Sequence, residues 1–182
     1  MIKIQLIFLL ILCTSCASWF DGNREGIFVT IGAGASNLTA EYSGEEDMDT
    51  TIGTLGTKVG WGFGERLSVM VAKTNHFYSS GGEDVLSETS ALGIQLYILQ
   101  NLYVYGASGI TNFSNEVSES AVDNFVTGTG TIFGLGYNFA KHYSFEVSVS
   151  AAELDQEDIT ESGLTAPTIQ NSTSFMIVGQ VF

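Results

Sequence analysis

His76 has neighbours of the types that an esterase uses. It is followed by Ser80 and then by Glu83 and Asp84, and a histidine that shares a site with a hydroxyl and a carboxylate can activate the hydroxyl as a nucleophile. The spacing is poor, because every second residue of a strand shares a face and Tyr78 stands where a serine would be needed. Ser80 could share the face of His76 only if the strand extends that far. The favoured interpretation is therefore a histidine at the base of a loop without a catalytic role, and an esterase is the minor alternative.

The densest acidic cluster of the chain is a candidate site for a divalent cation. Carboxylates are hard oxygen ligands, but this stretch lacks the spacing and the following glycine of an EF-hand loop. A solvated, negatively charged surface is the simpler interpretation. The cluster consists of Glu45, Glu46, Asp47 and Asp49.

The overall charge is strongly acidic, with twenty Asp and Glu residues against six Lys and Arg. Binding to nucleic acid depends on basic side chains that displace counterions from phosphates. A chain without a basic patch is not expected to bind nucleic acid.

The first 17 residues have the organisation of a secretory signal peptide. Lys3 gives a short positive start, residues 4–12 are apolar except for Gln5, and residues 14–17 are small, as a cleavage site requires. The apolar run is about half of the ~20 residues that a transmembrane helix needs. We therefore expect a signal peptide at 1–17 and a single mature domain at 18–182.

Both cysteines of the chain, Cys13 and Cys16, lie in this leader. Two processing routes are open. The leader can be cleaved after Ala17, or it can end before Cys16 and leave that residue lipidated, since residues 13–16 are similar to a lipobox. By either route we expect a mature chain without a disulfide or a thiolate metal site.

Apolar residues alternate with small or polar ones throughout the mature chain, which is typical of strands with two different faces. β-Branched and aromatic residues dominate the apolar set, and glycine is too frequent for long helices. The pattern predicts eight strands, at 27–36, 54–63, 67–74, 92–98, 102–113, 124–139, 143–151 and 172–182.

Short and long connections alternate strictly between these strands. An up-and-down barrel would gather every short turn at one rim and every long loop at the other, as outer-membrane barrels do with their periplasmic turns and external loops. The sequence therefore predicts an all-β protein, an eight-stranded antiparallel up-and-down transmembrane β-barrel. Its long loops would be at 39–51, 79–89, 114–123 and 152–171.

The charges are distributed as such a barrel requires. Sixteen of the twenty acidic residues fall in the four long connections. A charged side chain that faces lipid costs about 2–4 kcal/mol at the bilayer midplane, so the outward faces of the strands should be nearly free of charge. Only Lys73 breaks this expectation, and it would face lipid unless it lies at the upper interface or a bulge shifts the register.

Lys58 and Glu146 are the charged residues predicted on the inner face, in the second and seventh strands. An uncompensated charge in a narrow and partly dry interior is costly. We therefore expect the two side chains to form an ion pair across the interior, or else to be solvated separately by interior water. The inner face otherwise consists of glycine, serine and other polar residues, which fill a barrel of this size and leave no wide pore.

Aromatic residues gather near the predicted short turns. Amphipathic rings form girdles at membrane interfaces, whereas rings that fill a soluble core would be spread along the strands. We interpret this group as an interfacial girdle. Its members are Trp61, Phe63, Tyr103, Tyr137, Phe139, Tyr143, Phe145 and Phe182.

Two segments carry a family resemblance. Residues 134–149 read as a strand, a tight turn and a strand, and residues 175–182 are similar to the C-terminal assembly signal that ends in phenylalanine. In these segments the chain resembles the small outer-membrane barrels of the OmpX and OmpA membrane-domain type. It departs from them at Gln180, where an aromatic residue is usual, and this leaves the facing of the last strand open.

The resemblance implies an integral protein of the bacterial outer membrane with a structural or surface role, such as adhesion or envelope integrity. Its partners would be outer-membrane lipid and lipopolysaccharide, with host or envelope proteins at the acidic loops, and the chain would be a monomer without a cofactor or enzymatic activity. Two alternatives stay open. One is a lipid-modifying barrel enzyme similar to the lipid A deacylases, and the other is a secreted, lipocalin-like barrel with an internal ligand.

Overall fold

A computed structural model describes residues 24–42, 48–80, 83–115, 125–155 and 166–181. The predicted leader with Cys16, three members of the acidic cluster and the terminal Phe182 lie outside these ranges. None of the described residues belongs to a helix long and apolar enough to cross a membrane.

The described residues form eight strands that close into a barrel. Each strand pairs with the next in antiparallel orientation, and the eighth pairs with the first. This confirms the predicted all-β, up-and-down architecture. The strands are β1 (Gly26–Glu41), β2 (Met48–Phe63), β3 (Leu67–Ser80), β4 (Glu83–Tyr97), β5 (Leu102–Asn115), β6 (Phe125–Ala140), β7 (Tyr143–Leu154) and β8 (Ile169–Val181).

Several strands extend further from the short turns than the sequence predicted. They have 12 to 16 residues, and at a rise of about 3.3 Å and a tilt of about 40° they span roughly 30–40 Å along the barrel axis. The apolar band of an outer-membrane barrel is only about 25 Å tall. Strands of this length would pass beyond such a band at their upper ends, where polar residues are compatible with a strand.

The predicted long connection at 79–89 is wrong. Strand β3 continues to Ser80 and β4 begins at Glu83, so the alternation of short and long connections fails at this point. The prediction ended each strand where the clear apolar alternation ends, but the strands continue into acidic residues. Among the described residues, six of the sixteen acids predicted in loops lie in strands: Glu41, Asp49, Glu83, Asp84, Glu88 and Glu153.

The outward face of the barrel carries the apolar side chains, as the alternation predicted. Ile31 and Leu92 are 65% and 70% exposed, whereas their chain neighbours Thr30 and Ala91 are buried. The last strand follows the same rule, with Phe175 and other odd-numbered apolar residues outside and the even-numbered residues inside. Gln180 is buried, so the residue that departs from the family pattern faces the interior.

The inner face is less polar than expected. Two clusters of buried apolar residues lie inside the wall, one in the lower half of the barrel, near the short turns, and one in the upper half. Large rings enter the interior because glycine on a neighbouring strand makes room for them. The lower cluster includes Phe28, Met70, Tyr97, Tyr103, Tyr105 and Ile132, and the upper one includes Leu38, Ile52, Tyr78, Val85, Phe113 and Leu154.

Candidate functional site

Lys58 and Glu146 meet inside the barrel. Lys58 Nζ forms an ion pair with Glu146 Oε1, and both side chains are almost completely shielded from solvent, with exposures of 7% and 0%. The two side chains can meet because alternate residues of a strand point inward, and both residues have inward positions in their strands, β2 and β7. Of the two arrangements expected from the sequence, the structure shows direct contact.

Two tyrosines of β5 complete the carboxylate's surroundings. Tyr103 donates a hydrogen bond to Glu146 Oε1, and Tyr105 donates one to Oε2 at 3.1 Å. The Tyr105 ring also lies 3.9 Å from Lys58 Nζ, a distance at which the negative face of the ring attracts the ammonium group. Four side chains therefore form one buried polar cluster, which we call the interior quartet.

Glycines on β6 provide the space that these rings occupy. Tyr103 pairs with Gly136 and Tyr105 with Gly134 across the two strands. A Cβ atom added at Gly136 would lie 2.1 Å from the Tyr103 ring, and one at Gly134 would lie 2.4 Å from the Tyr105 ring. Both rings lie across bare backbone, which directs their hydroxyls to Glu146.

Tyr103 was assigned to the interfacial girdle from the sequence, and this assignment is wrong. The residue is 1% exposed and faces the interior, whereas Tyr137 and Phe139 do face outward. Position near a short turn led to the error. The alternation held the correct signal, since Tyr103 and Tyr105 share parity with the buried Ala107.

Arg24 closes the barrel below the quartet. Its guanidinium donates hydrogen bonds to the carbonyl oxygens of Glu65 (2.8 Å) and Gln100, in two different short turns, and lies 3.5 Å from the centre of the Tyr97 ring. Burial lowers the pKa of this guanidinium, and Tyr97 opposes the shift. The segment before β1 thus ties two short turns together.

A layer of hydroxyl groups surrounds His76 in the upper half of the interior. Thr54 Oγ1 lies 3.1 Å from its Nδ1 atom and Ser172 Oγ lies 3.3 Å from its Nε2 atom. Ser36 bridges Thr54 and Ser174. His76 is therefore a buried residue of β3 and not the base of a loop, and it is only 3% exposed.

The packed interior leaves little free space among the described residues. A cavity of about 10 Å³ lies beside the quartet, lined among others by Thr30, Thr74 and Met176. One water molecule needs about 10–15 Å³ measured in this way. This cavity is far smaller than a wide channel or a lipocalin-sized ligand site would be.

Lys73 faces outward, next to a partner that the sequence did not predict. Its ammonium nitrogen lies 2.6 Å from Glu88 Oε2, and the two side chains are 44% and 25% exposed. Strand β3 keeps a continuous register with both neighbours, so no bulge turns Lys73 away. Glu88 had been assigned to a loop, but in β4 it compensates the lysine charge on the outer wall.

Of the predicted acidic cluster and the predicted lipidation site, only Asp49 lies within the described residues. Asp49 lies in β2 and is exposed, whereas Glu45, Glu46, Asp47 and Cys16 lie outside the described ranges. Within those ranges, no three His, Cys, Asp or Glu residues are grouped as a metal site would require. Cation binding stays a prediction.

Solved structures with the same architecture come from bacterial surface proteins. The attachment invasion locus protein Ail of Yersinia pestis aligns with a TM-score of 0.59 and 15% identity over 86% of this chain and 99% of Ail. Ail in complex with the heparin analogue sucrose octasulfate aligns with a TM-score of 0.58 and 17% identity, over 86% of this chain and 99% of Ail. Neisserial surface protein A aligns with a TM-score of 0.56 and 14% identity, over 86% of this chain and 97% of that protein.

No protein-family model and no curated protein sequence matches the chain. Ail has also been solved as an outer membrane protein in a phospholipid nanodisc, with a TM-score of 0.54 and 14% identity over 86% of this chain and the whole of Ail. At these identities the likeness establishes the fold. The chain has the closed eight-stranded barrel of the small outer-membrane proteins, as the resemblance in its sequence predicted.

Proposed function

We propose that this protein is an integral barrel of the bacterial outer membrane with a role at the cell surface, in adhesion or envelope integrity. The observation that carries the proposal is the division between the two faces of the wall. Large apolar side chains cover the outside, and packed side chains fill the inside. The shared fold with Ail and neisserial surface protein A supports the same placement.

The outward apolar surface is too large for a water-soluble monomer. Among the described residues, twenty-eight large hydrophobic side chains are 37–70% exposed, and full burial of such a side chain is worth about 1.5–3 kcal/mol relative to full exposure. Soluble monomers seldom expose contiguous apolar patches of more than a few hundred Å². Hydrocarbon around the barrel removes this cost, which favours a membrane barrel over a lipocalin-like one.

Heat-modifiable electrophoresis tests the membrane placement. We expect protein refolded into phosphatidylcholine vesicles to migrate faster on SDS gels before boiling than after it, because a closed barrel resists SDS at room temperature. The same protein should co-float with the vesicles in a density gradient. Folding in buffer without lipid or detergent, to a monomer with no heat-dependent shift, would contradict the proposal.

We propose neither a diffusion pore nor an enzyme. The interior quartet and the two apolar clusters occupy the space that a pore would need, and His76 contacts hydroxyl groups inside the wall. Lipid analysis of cells with and without the protein tests the enzymatic alternative. Altered acylation of lipid A that depends on His76 would favour a deacylase.

The charge of this chain points to a different surface partner from the one in the Ail complex. Ail was crystallised with a heparin analogue, which is a polyanion, whereas this chain has a formal net charge of −14. Like charges oppose association, and acidic surfaces select basic partners. We propose that host or envelope proteins with basic surfaces bind the acidic loops.

Adhesion can be measured with the protein displayed on a non-adherent host bacterium. We expect such cells to bind polylysine-coated surfaces more strongly than control cells, and not to bind heparin-coated ones. High salt should abolish the difference, because exposed charges are screened. Retention on heparin at physiological salt would contradict the charge argument.

Processing of the leader and the assembly state belong to the same proposal. Mass spectrometry of the mature protein should show an N-terminus at residue 18, and a diacylglyceryl-modified Cys16 would establish the alternative route. The protein should be a monomer in detergent, with lipopolysaccharide and other outer-membrane lipid around its wall. Calcium titration of the native protein and of Asp49→Asn tests the acidic cluster.

A further inference from the structure

The outer wall has a concave groove that the function proposed above does not use. It crosses strands β6, β7, β8 and β1 and reaches the start of β2, and its volume is about 530 Å³. Small-molecule sites have volumes of about 300–1,000 Å³. Its outward lining includes Asn37, Thr39, Asp49, Phe133, Val149 and Asn171, and we call this region the wall groove.

The strand register makes the wall groove one continuous surface. Phe133 pairs with Val149, Val149 with Thr173, and Thr173 with Asn37. Side chains paired in this way lie next to each other on the same face of the sheet. A parallel row directly above runs from β8 through β1 to Asp49.

The wall groove changes from apolar to polar as it rises. Each strand residue adds about 2.5 Å along the barrel axis at the usual rise and tilt. Phe133 lies six residues above Phe139, the lowest outward residue of β6, and Val149 lies six residues above Tyr143, the lowest of β7. Both are therefore about 15 Å up, inside a band of about 25 Å. Asn37 lies ten residues above Ile27, or about 25 Å up, and Asp49 lies higher still. The wall groove therefore crosses the boundary between hydrocarbon and head groups.

The polar end of the wall groove has the chemistry of a site for a neutral polyol. Asn37 and Asn171 offer amide donors and acceptors, Thr39 offers a hydroxyl, and Asp49 offers a carboxylate that accepts hydrogen bonds. Thr51 donates a 3.1 Å hydrogen bond to Asn37 Oδ1, which orients that amide. The described residues that line the wall groove include no lysine or arginine, so an anionic phosphate would meet only the negative charge of Asp49 among them.

We propose that the wall groove binds a neutral glycolipid of the outer leaflet, with the sugar against Asn37, Asn171 and Asp49 and an acyl chain on Phe133 and Val149. The inference rests on the membrane placement proposed above and adds a lipid class to it. The apolar lower end selects a sugar that is attached to a lipid. The upper side chains carry no positive charge and one carboxylate, so they select a neutral sugar over a phosphate head group.

Native mass spectrometry of the full mature protein from mixed micelles tests the proposal. The micelles would contain monoglucosyl diacylglycerol and phosphatidylglycerol with identical acyl chains in equal amounts. Each hydrogen bond of ordinary net strength multiplies binding by about five. We therefore expect the glucolipid to be retained at least about fivefold over phosphatidylglycerol.

A matched pair of variants locates the binding. Asn37→Leu combined with Asn171→Leu should reduce the preference to about one, since both amides are lost. Asn112→Leu is the control, because it removes an outward asparagine of β5 at the same height on another part of the wall. It should leave the preference unchanged. Heat-modifiable migration shows that each variant is folded.

Four results would overturn the inference. They are equal retention of the two lipids by native protein, a preference that survives the double variant, an equal loss in Asn112→Leu, and full competition by free glucose, which would mean that no lipid is needed. If the protein does not enter micelles and shows no heat-dependent shift, the membrane placement is overturned as well. Folded, inserted protein without a lipid preference would overturn the wall groove alone.

Discussion

Removal of Lys58 isolates the energetics of the interior quartet. Lys58→Met keeps the length of the side chain but leaves Glu146 as a carboxylate with 0% exposure and only two tyrosine donors. Breaking a buried ion pair by removing one partner costs about 3–5 kcal/mol. We expect the free energy of unfolding at pH 8 to fall by that amount.

The complementary substitution should cost less. Glu146→Gln preserves an acceptor for Tyr103, and the Tyr105 ring, 3.9 Å from the ammonium group, provides a cation–π interaction of about 2 kcal/mol in a desolvated site. We expect a loss of about 2–4 kcal/mol. The double variant leaves no buried charge, and a buried pair can be replaced by neutral groups at a cost near zero.

The assay is a double-mutant cycle of urea unfolding in phosphatidylcholine vesicles. Trp61, which is 49% exposed on the outer wall, reports its departure from lipid by fluorescence. The coupling free energy should be at least about 3 kcal/mol in the direction that makes the double variant more stable than the sum of the singles. Additive effects within about 0.5 kcal/mol would refute the reasoning.

Thr30→Val is the matched control for this cycle. Thr30 is buried in the same part of the interior and lines the small cavity next to the quartet, and its hydroxyl has no hydrogen-bond partner among the described residues. The substitution should be neutral or stabilising by up to about 1 kcal/mol, because it removes an unsatisfied polar group. A loss as large as that of Lys58→Met would mean that any interior change disturbs the barrel.

Three further substitutions test other parts of the wall by the same unfolding assay. Gly136→Ala should lower the free energy of unfolding by about 1–3 kcal/mol, because the new methyl group overlaps the ring that lies across this glycine. His76→Leu should lower it by about 1–3 kcal/mol through the hydroxyl groups left without a partner, and lipid A acylation should stay unchanged. Lys73→Leu combined with Glu88→Leu should raise it by about 1–2 kcal/mol, since charges on a lipid-facing wall are costly even when paired.

The barrel was predictable from period-two alternation because every strand has one face in a different environment from the other. The inward positions of Lys58 and Glu146 followed from this parity alone. Their pairing did not, because inward positions on β2 and β7 meet only when the barrel is closed and its stagger is set. Closure and stagger are properties of all eight strands, which no single segment encodes.

The predictions that are wrong rest on the position of a residue along the chain and not on its parity in the strand. Tyr103 was assigned to the girdle because it lies near a turn, although its parity places it inside with Tyr105. Glu88 was placed in a loop because the clear apolar alternation of this region begins only at Leu92, although β4 already begins at Glu83. In both cases the geometry of the closed sheet, and not the local sequence alone, determines where the side chain lies.

The quartet also gives the barrel a means of fixing its strand register. A slip of one residue moves every side chain of a strand to the opposite face. For β2 such a slip would turn Lys58 to the outer wall and leave Glu146 buried without its partner. In the proposed membrane placement a lysine there costs about 2–4 kcal/mol near the midplane. The glycines opposite Tyr103 and Tyr105 penalise a slip between β5 and β6 as well, since each ring would then meet a side chain. Charge and bulk inside the wall thus select the same register that the apolar band selects outside it.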